Sequence, residues 1–264
     1  NEVGNIPTLD GIIHGATNQI YQNAEEFYRA ENGHAIGYFW GYKTAGIFQS
    51  QQDINNWIAA GNGVLQSNVQ PGDVKYVDVN HDGAINANDK VDLGNGLPKY
   101  TFGFNFTLGY KGFDLSANFT GAAGFQIAQS YRDPSGSQGN YSHRILGRWT
   151  GEGTSNEMPR VTYGDVGNWL FSDLYLQDGD YIRLQNLTLG YDFKKLISWK
   201  GLSKLRLYFQ VQNLFTLTKY DGMDPEIGSF NGTDGNSSDS WVSGVDMGYY
   251  PHPRTFIVGL NLAF

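Results

Sequence analysis

The sequence predicts an all-β fold: antiparallel, membrane-spanning β-barrel strands that form the C-terminal part of a larger barrel with long extracellular loops. Three observations predict it. Several segments of about ten residues alternate strictly between apolar and polar positions. Short and long connections between those segments alternate along the chain. The composition is rich in glycine and aromatics and poor in charge: 35 Gly, 17 Tyr, 16 Phe and 6 Trp in 264 residues, with 17% charged, against a usual charged fraction of about 25%. A soluble β-rich carbohydrate-binding domain would share that composition, and a β-sandwich also alternates, with one face on its core. The barrel is favoured because the polar positions here are mostly Thr, Asn, Gln and Gly rather than charges.

The first segment is Tyr38–Tyr42, where Tyr38, Trp40 and Tyr42 alternate with Phe39 and Gly41. The clearest is 100–110. Tyr100, Phe102, Phe104, Phe106, Leu108 and Tyr110 fall on one face and Thr101, Gly103, Asn105, Thr107 and Gly109 on the other. That length suits a tilted strand crossing a bilayer, and Tyr at both ends suits the headgroup levels. Phe113, Leu115, Ala117 and Phe119 continue the pattern, as do Leu187, Leu189, Tyr191 and Phe193. So do Leu205, Leu207, Phe209 and Val211, and finally Phe256, Val258, Leu260, Leu262 and Phe264. A tight turn at Lys111-Gly112 and a link of about ten residues before 204 are short; 49–99, 122–180 and 214–253 are long. Bacterial outer-membrane barrels place short turns in the periplasm and long loops outside. By this count the last strand runs inward and ends at Phe264. Six strands do not close a barrel with such loops, since about eight is the minimum. Residues 1–37 form a separate N-terminal segment. Its stretch 18–31 has the spacing of a short amphipathic helix, with Ile20, Ala24, Phe27 and Tyr28 on one face. A start at Asn1, without Met or signal peptide, fits either a processed secreted chain or a piece of a longer one.

Several classes of function are excluded. The net charge is −8 and no stretch concentrates Lys and Arg, which argues against nucleic acid. Without cysteine there is no disulfide, thiolate zinc site or cysteine nucleophile. No run of 18 apolar residues supplies a transmembrane helix, which leaves a β-barrel open. The five histidines have no zinc-motif spacing, and there is no Gly-x-Ser-x-Gly elbow or phosphate loop. Asp221, Asp224 and Glu226 cluster, but a glycosidase pair needs a set separation that sequence does not give, so they are read as shaping a loop. The chain is not expected to be an enzyme.

One segment carries metal chemistry. Residues 78–89 offer hard oxygen ligands at loop positions 1, 3, 5 and 9 (Asp78, Asn80, Asp82, Asn86), a backbone carbonyl at 7 (Ala84) and a closing carboxylate at 12 (Asp89). Gly83 at position 6 permits the sharp turn. This predicts a structural Ca²⁺ site that stiffens an extracellular loop; an Asx-rich turn held by its own side chains is the plain alternative. Trp149, Trp169, Phe171, Tyr175, Phe230 and Trp241 lie in the two longest C-terminal loops. They are expected to build loop cores, to meet a partner or to contact substrate. The Gly/Asn/Ser/Asp-rich stretch 229–240 is expected to be the most mobile.

Three segments taken together are more specific than any alone. Residues 178–191, residues 205–226 and the ending 248–264, with 37–48 before them, resemble in order the C-terminal signatures of SusC/RagA-like TonB-dependent outer-membrane transporters of the Bacteroidetes. The resemblance implies a barrel of about 22 strands with an N-terminal plug, coupling to TonB, and a SusD-like surface lipoprotein as a lid. It implies import of oligosaccharides or peptides through the outer membrane, by transporter–lipoprotein pairs able to dimerise. Plug, TonB box and most of the barrel lie outside this sequence, so only wall and loops transfer to these residues. Phe264 would then serve in the barrel-assembly signal. The rival reading is a soluble, calcium-stabilised β-sandwich that binds glycans.

Overall fold

A computed structural model describes residues 2–15, 26–129, 143–162, 167–228 and 241–264. Contacts divide the chain into two compact units. Unit 2 comprises Pro98–Phe125, Asp178–Glu226 and Tyr249–Phe264; unit 1 comprises Asn1–Leu97, Gln126–Gln177 and Ile227–Gly248. The long connections therefore build unit 1, and the division does not follow a boundary at residue 37.

In chain order the strands of unit 1 are β1 (Ile12–His14), β2 (Tyr28–Glu31), β3 (Tyr38–Tyr42), β4 (Thr44–Ile47), β5 (Val74–Tyr76) and β6 (Lys90–Asn95). Those of the wall are β7 (Tyr100–Tyr110), β8 (Phe113–Ala123), β11 (Tyr181–Asp192), β12 (Lys204–Thr218) and β14 (Thr255–Ala263). The short β9 (Gln126–Gln129), β10 (Leu176–Asp178) and β13 (Val245–Asp246) lie in the connections, and the one α-helix among the described residues, α1, is Gln51–Ala59. The wall is a five-stranded antiparallel sheet in the order β14-β12-β11-β8-β7. All five expected wall strands from 100 onward are in it. Antiparallel pairing satisfies the backbone of the three inner strands, as the expected membrane-spanning wall would require, since hydrocarbon offers no hydrogen bonds.

One side of this sheet is apolar and exposed: Phe104, Leu108, Leu189, Phe209, Val258 and Leu260 all stand open. Within unit 2 no second sheet covers that face, which is the difference from a sandwich, whose apolar face is its core. The polar side closes on itself. Gly190 of β11 lies opposite Asp114 of β8 and Tyr208 of β12, and Arg206 stands two residues from Tyr208 on β12, opposite Asp192. Arg206 Nε and Nη2 donate to Asp114 Oδ1 and Oδ2 at 2.8 and 2.5 Å, directly over Gly190. A Cβ at Gly190 would stand 2.5 Å from Arg206 Nη2 and 2.6 Å from Asp114 Oδ1.

Two expectations are corrected. Tyr38–Tyr42 is not a wall strand: it pairs with β2 and β6 in the sheet β1-β2-β3-β6, and Tyr38, Phe39 and Tyr42 are buried. An aromatic run buried on both faces imitates an interfacial strand in sequence. Nor is 28–31 helical: Tyr28–Glu31 is strand β2, with Phe27 and Tyr28 in the core of unit 1. Ile20 and Ala24 lie outside the described residues. α1, inside a link read as loop, carries its own start signal: Ser50 caps it by accepting from Asp53 N–H.

Replacing Gly190 with Ala should push the Arg206–Asp114 pair apart. The expected cost is about 1–3 kcal/mol, in the range of overpacking, read as a lower denaturation midpoint of the full-length protein in lipid or detergent. An unchanged midpoint would show that the pair contributes nothing there.

Candidate functional site

Sequence alternation alone places Arg183 on the wrong side of the wall. It is two-residue spaced with Leu187, Leu189 and Tyr191, the apolar face. A register shift between Leu184 and Asn186 corrects this. Toward β8, Gln185 is one residue too many on β11; toward β12, Asn213 and Leu214 together oppose it. Asn213 takes φ +52°, a left-handed conformation that Asn tolerates, and its side chain donates to the Pro253 carbonyl at 3.1 Å. A bulge re-aims the side chains beyond it. Arg183 thus pairs abreast of Thr120 and Thr216 on the polar face, while Leu184 joins Phe119 and Phe215.

There Arg183 is 3% exposed and fully engaged. Its Nη2 donates to Asp224 Oδ1 at 2.5 Å, Nη1 to Glu226 Oε2 at 2.7 Å, and Nε to Thr216 Oγ1 at 3.0 Å. His252 completes the group: its Nδ1 lies 3.0 Å from Arg183 Nη1 and 2.9 Å from Asp224 Oδ2, and its backbone N–H donates to Asp224 Oδ2 at 3.1 Å. Burial pushes the Asp224 carboxyl up. The Glu226 N–H, the ring and N–H of His252 and the Arg183 charge outweigh burial and hold it below the ordinary carboxylate range. Asp224, Glu226 and His252 are, among the described residues, the one group of three such ligands converging within 4.8 Å. The guanidinium already occupies the position a metal would take, so the arrangement is a clasp rather than a metal centre. It joins β11 to the segment leaving β12 and to the segment entering β14. Asp224 and Glu226 were singled out in the sequence, but as loop-shapers. Arg183 and His252 were not, although the consecutive polar pair Gln185-Asn186, where the alternation changes phase, is the sequence trace of the bulge that brings Arg183 inward.

The predicted Ca²⁺ loop folds as a chain of side-chain-to-backbone turns. Asp78 accepts from the N–H groups of Asp82 and Gly83 at 3.2 and 2.8 Å. Asp82 accepts from Ala84 N–H at 2.9 Å and from the Asn80 amide at 2.9 Å, which hold its carboxyl below the usual range. Asp89 accepts from Val79 and Asn86 N–H at 2.9 and 2.8 Å, forming a capping box with Asn86. The Ala84 carbonyl accepts from the Asn86 side chain at 3.3 Å. Asp78 and Asp89 are buried, and no described Lys or Arg pairs with either. Two buried carboxylates without a cation, in an all-oxygen donor set, fit a hard cation. The three carboxylates do not converge within 4.8 Å of one another, so an ion would have to draw them in. An open groove of about 590 Å³, lined in part by Lys43, Val77, Asp78, Val79 and Asp92, gives access to the Asp78 side.

The three tryptophans pack inside unit 1. Trp169 is buried, Trp241 meets Tyr28 edge-on at 5.3 Å, and Trp149 donates from Nε1 to Gln49 at 3.3 Å while packing on the Ile47–Val74 cluster. Phe171 and Tyr175 stack at 6.4 Å on the Phe27–Phe39 core. Phe230 and the stretch 229–240 lie outside the described residues. Phe264 is exposed at the end of the apolar face.

No family model matches the chain. It is 33% identical over its whole length to TonB-dependent receptor P3 of Formosa agariphila, covering 26% of that protein. It is 29% identical over 76% of its length to TonB-dependent receptor SusC of Bacteroides thetaiotaomicron, covering 18% of it. The whole chain also superposes on 26% of a chain of the RagAB peptide importer in its closed-closed state, with TM-score 0.66 and 19% identity, which shows a shared fold. The chain spans about a quarter of the length of receptor P3 and of the RagAB chain, each of which it matches over its whole extent.

Removing Arg183 should be costly. Arg183→Ala leaves the buried Asp224 carboxylate without its guanidinium, and is expected to lose about 3–5 kcal/mol. Arg183→Lys should not restore it, because one ammonium does not serve acceptors on three sides. Denaturation midpoints of the full-length protein check both. The depressed Asp224 carboxyl also sets a pH dependence: its contribution is present above the ordinary carboxylate pKa of about 3.9 and is lost as pH falls through the lower folded value. Amide exchange at 224–228 and 250–254, corrected for intrinsic rates, should rise only in that acid range in wild type, and already at neutral pH in Arg183→Ala.

Proposed function

From the premise that this chain is a SusC-like stretch of a TonB-dependent receptor, an outer-membrane β-barrel protein, we propose that it forms barrel wall and extracellular loops of a TonB-dependent importer. The observation that carries this is the five-strand wall, whose short turns all fall at one edge and long connections at the other, in a chain related over its whole length to such receptors. In this reading the turn edge faces the periplasm and unit 1 belongs to the cell exterior. The parent protein takes up oligosaccharides or peptides with a SusD-like lipoprotein as lid, and TonB supplies the energy through a part outside this sequence. Support for the class comes from relatives named as TonB-dependent receptors, and for peptides from the name of the RagAB importer. The described wall and loops carry no feature that selects glycan over peptide. No catalytic step belongs to this reading: the carboxylate–His group that converges among the described residues is tied up by Arg183, which pairs with both Asp224 and Glu226.

The Ca²⁺ loop belongs to the same reading. Asp78, Asn80, Asp82, Asn86 and Asp89 with the Ala84 carbonyl would hold the ion, which supplies charge neutralisation and stiffness. External millimolar calcium fills even a weak oxygen site of this kind.

Two measurements test the proposal. Cells carrying the full-length receptor should take up labelled oligosaccharides or a labelled peptide mixture, and should lose that uptake when either the receptor or TonB is deleted. Uptake that survives both deletions would overturn the import role. Calorimetry on the full-length receptor should show calcium binding that Asp89→Ala reduces at least tenfold, about 1.4 kcal/mol. Equal binding by the variant would remove the calcium reading.

A further inference from the structure

Two short turns close the wall at one edge: 111–112 between β7 and β8, and 193–203 between β11 and β12. Along the sequence their charges look scattered. The β8–β11 pairing, with Phe113 opposite Tyr191, brings the turns side by side. Asp192 N–H donates to the Gly112 carbonyl at 2.8 Å, and Lys195 Cδ lies 3.3 Å from where a Cβ of Gly112 would stand. Lys111, Lys194, Lys195, Lys200, Lys204 and Arg206 are thereby gathered on one rim. The carboxylates there are Asp114 and Asp192. Asp114 is paired with Arg206, and Asp192 caps the 193–196 turn by accepting from Lys194 N–H. Six of the chain's 18 basic residues and two of its 26 acidic ones lie there, a local balance of +4 in a chain of −8.

The apolar groups of the rim fit the same purpose. Leu196, Trp199 and Phe264 are 69%, 60% and 81% exposed, and the Trp199 and Phe264 rings meet edge-on at 6.2 Å. Lys111 Nζ lies 5.2 Å from the Tyr110 ring centre. Lys194 donates to the Trp199 carbonyl at 2.7 Å and stiffens the turn, while Lys111, Lys195, Lys200 and Lys204 are exposed and make no ion pair. A ring of aromatics at headgroup depth with free ammonium groups just beyond it fits a phosphate-bearing lipid interface.

We propose that this rim is a binding surface for anionic phospholipid headgroups of the leaflet it enters, Lys111, Lys195, Lys200 and Lys204 meeting the phosphates and Trp199 and Phe264 entering the acyl boundary. The proposal rests on the membrane reading above and on its orientation. It gives the turn edge a role beyond closing strands: a positively charged collar that sets the depth of the wall.

The test uses the full-length receptor, extracted mildly and exchanged into bilayer nanodiscs of phosphatidylglycerol and phosphatidylcholine in equal amounts. Native mass spectrometry then reads the lipid retained after release. Wild type should keep phosphatidylglycerol over phosphatidylcholine at least fivefold. Replacing Lys111, Lys195, Lys200 and Lys204 together by Gln should bring the ratio near one, while a control changing the exposed Lys43, Lys99 and Lys219 to Gln should keep it. Equal retention in wild type, or loss of preference in the control alone, overturns the proposal. A second arm separates it from the orientation beneath it. Lys200→Cys in the parent should react with an impermeant maleimide only after the outer membrane is opened. Labelling on intact cells overturns the orientation, whereas protected Lys200→Cys with no lipid preference overturns the collar alone.

Discussion

A backbone amide in hydrocarbon has no water to bond, and that one constraint governs the wall. Each N–H and C=O must find a neighbouring strand, so the sheet holds its register from Tyr110↔Phe113 through Tyr191↔Leu207 to Leu205↔Leu262. Side-chain chemistry is then free to follow from which face the pleat assigns. Apolar residues stand outward and unpacked; small or hydrogen-bonding residues line the other side. Where a charge occurs on the polar side it is answered at once, as Arg206 is by Asp114 across the bare backbone of Gly190. At the far edge, the same constraint makes the turns short and leaves their lysines exposed beside aromatic rings.

The one break in that register is where the wall carries its most elaborate polar group. Without the bulge at Gln185, Arg183 would face lipid, at a cost far above what any loop contact returns. With it, a single guanidinium gathers side chains from three segments that are distant in sequence. Both roots of the stretch 227–248 are thereby fixed to β11: one through Asp224 and Glu226, the other through His252. The loop core uses different means. Tyr28, Phe39, Phe171, Val242 and Val245 form an ordinary aromatic-aliphatic cluster, and the buried Asp73 answers Arg160 and Asn168.

Much of the wall was legible because period-two alternation is a direct imprint of pleating against lipid. Residues 100–110 and 256–264 show it without interruption. The same signal misled at Tyr38–Tyr42, since Tyr38, Trp40 and Tyr42 share one face of an aromatic strand whose other face, with Phe39, is also buried inside a loop unit. At Gln185 its trace was slight: Gln185 and Asn186 are two polar residues in succession, so apolar positions shift from 182 and 184 to 187 and 189, the phase change that the bulge accommodates. The helical spacing of 18–31 gave way at Tyr28 to β pairing with Phe39, a tertiary partner that local periodicity does not report. The oxygen-rich loop at 78–89 declared its turn chemistry through residue type and position. Its three carboxylates are held apart by their own backbone bonds, and only the fold reveals that spacing. His252 gave no sign in sequence because its partners stand 28 and 69 residues away.

The order in which the segments of unit 1 and of the wall alternate along the chain dictates an order of events. Its core joins Tyr28 to Trp241, more than two hundred residues apart, with every wall strand but the last lying between them. The β7–β8 hairpin needs only a two-residue turn and β11–β12 only the link 193–203, so both close locally and rapidly. The aromatic core has no such shortcut and completes only after four strands have been laid down. Until then its rings stand exposed, and a chaperone or proteolytic check on the maturing protein has this unit, rather than the wall, to inspect.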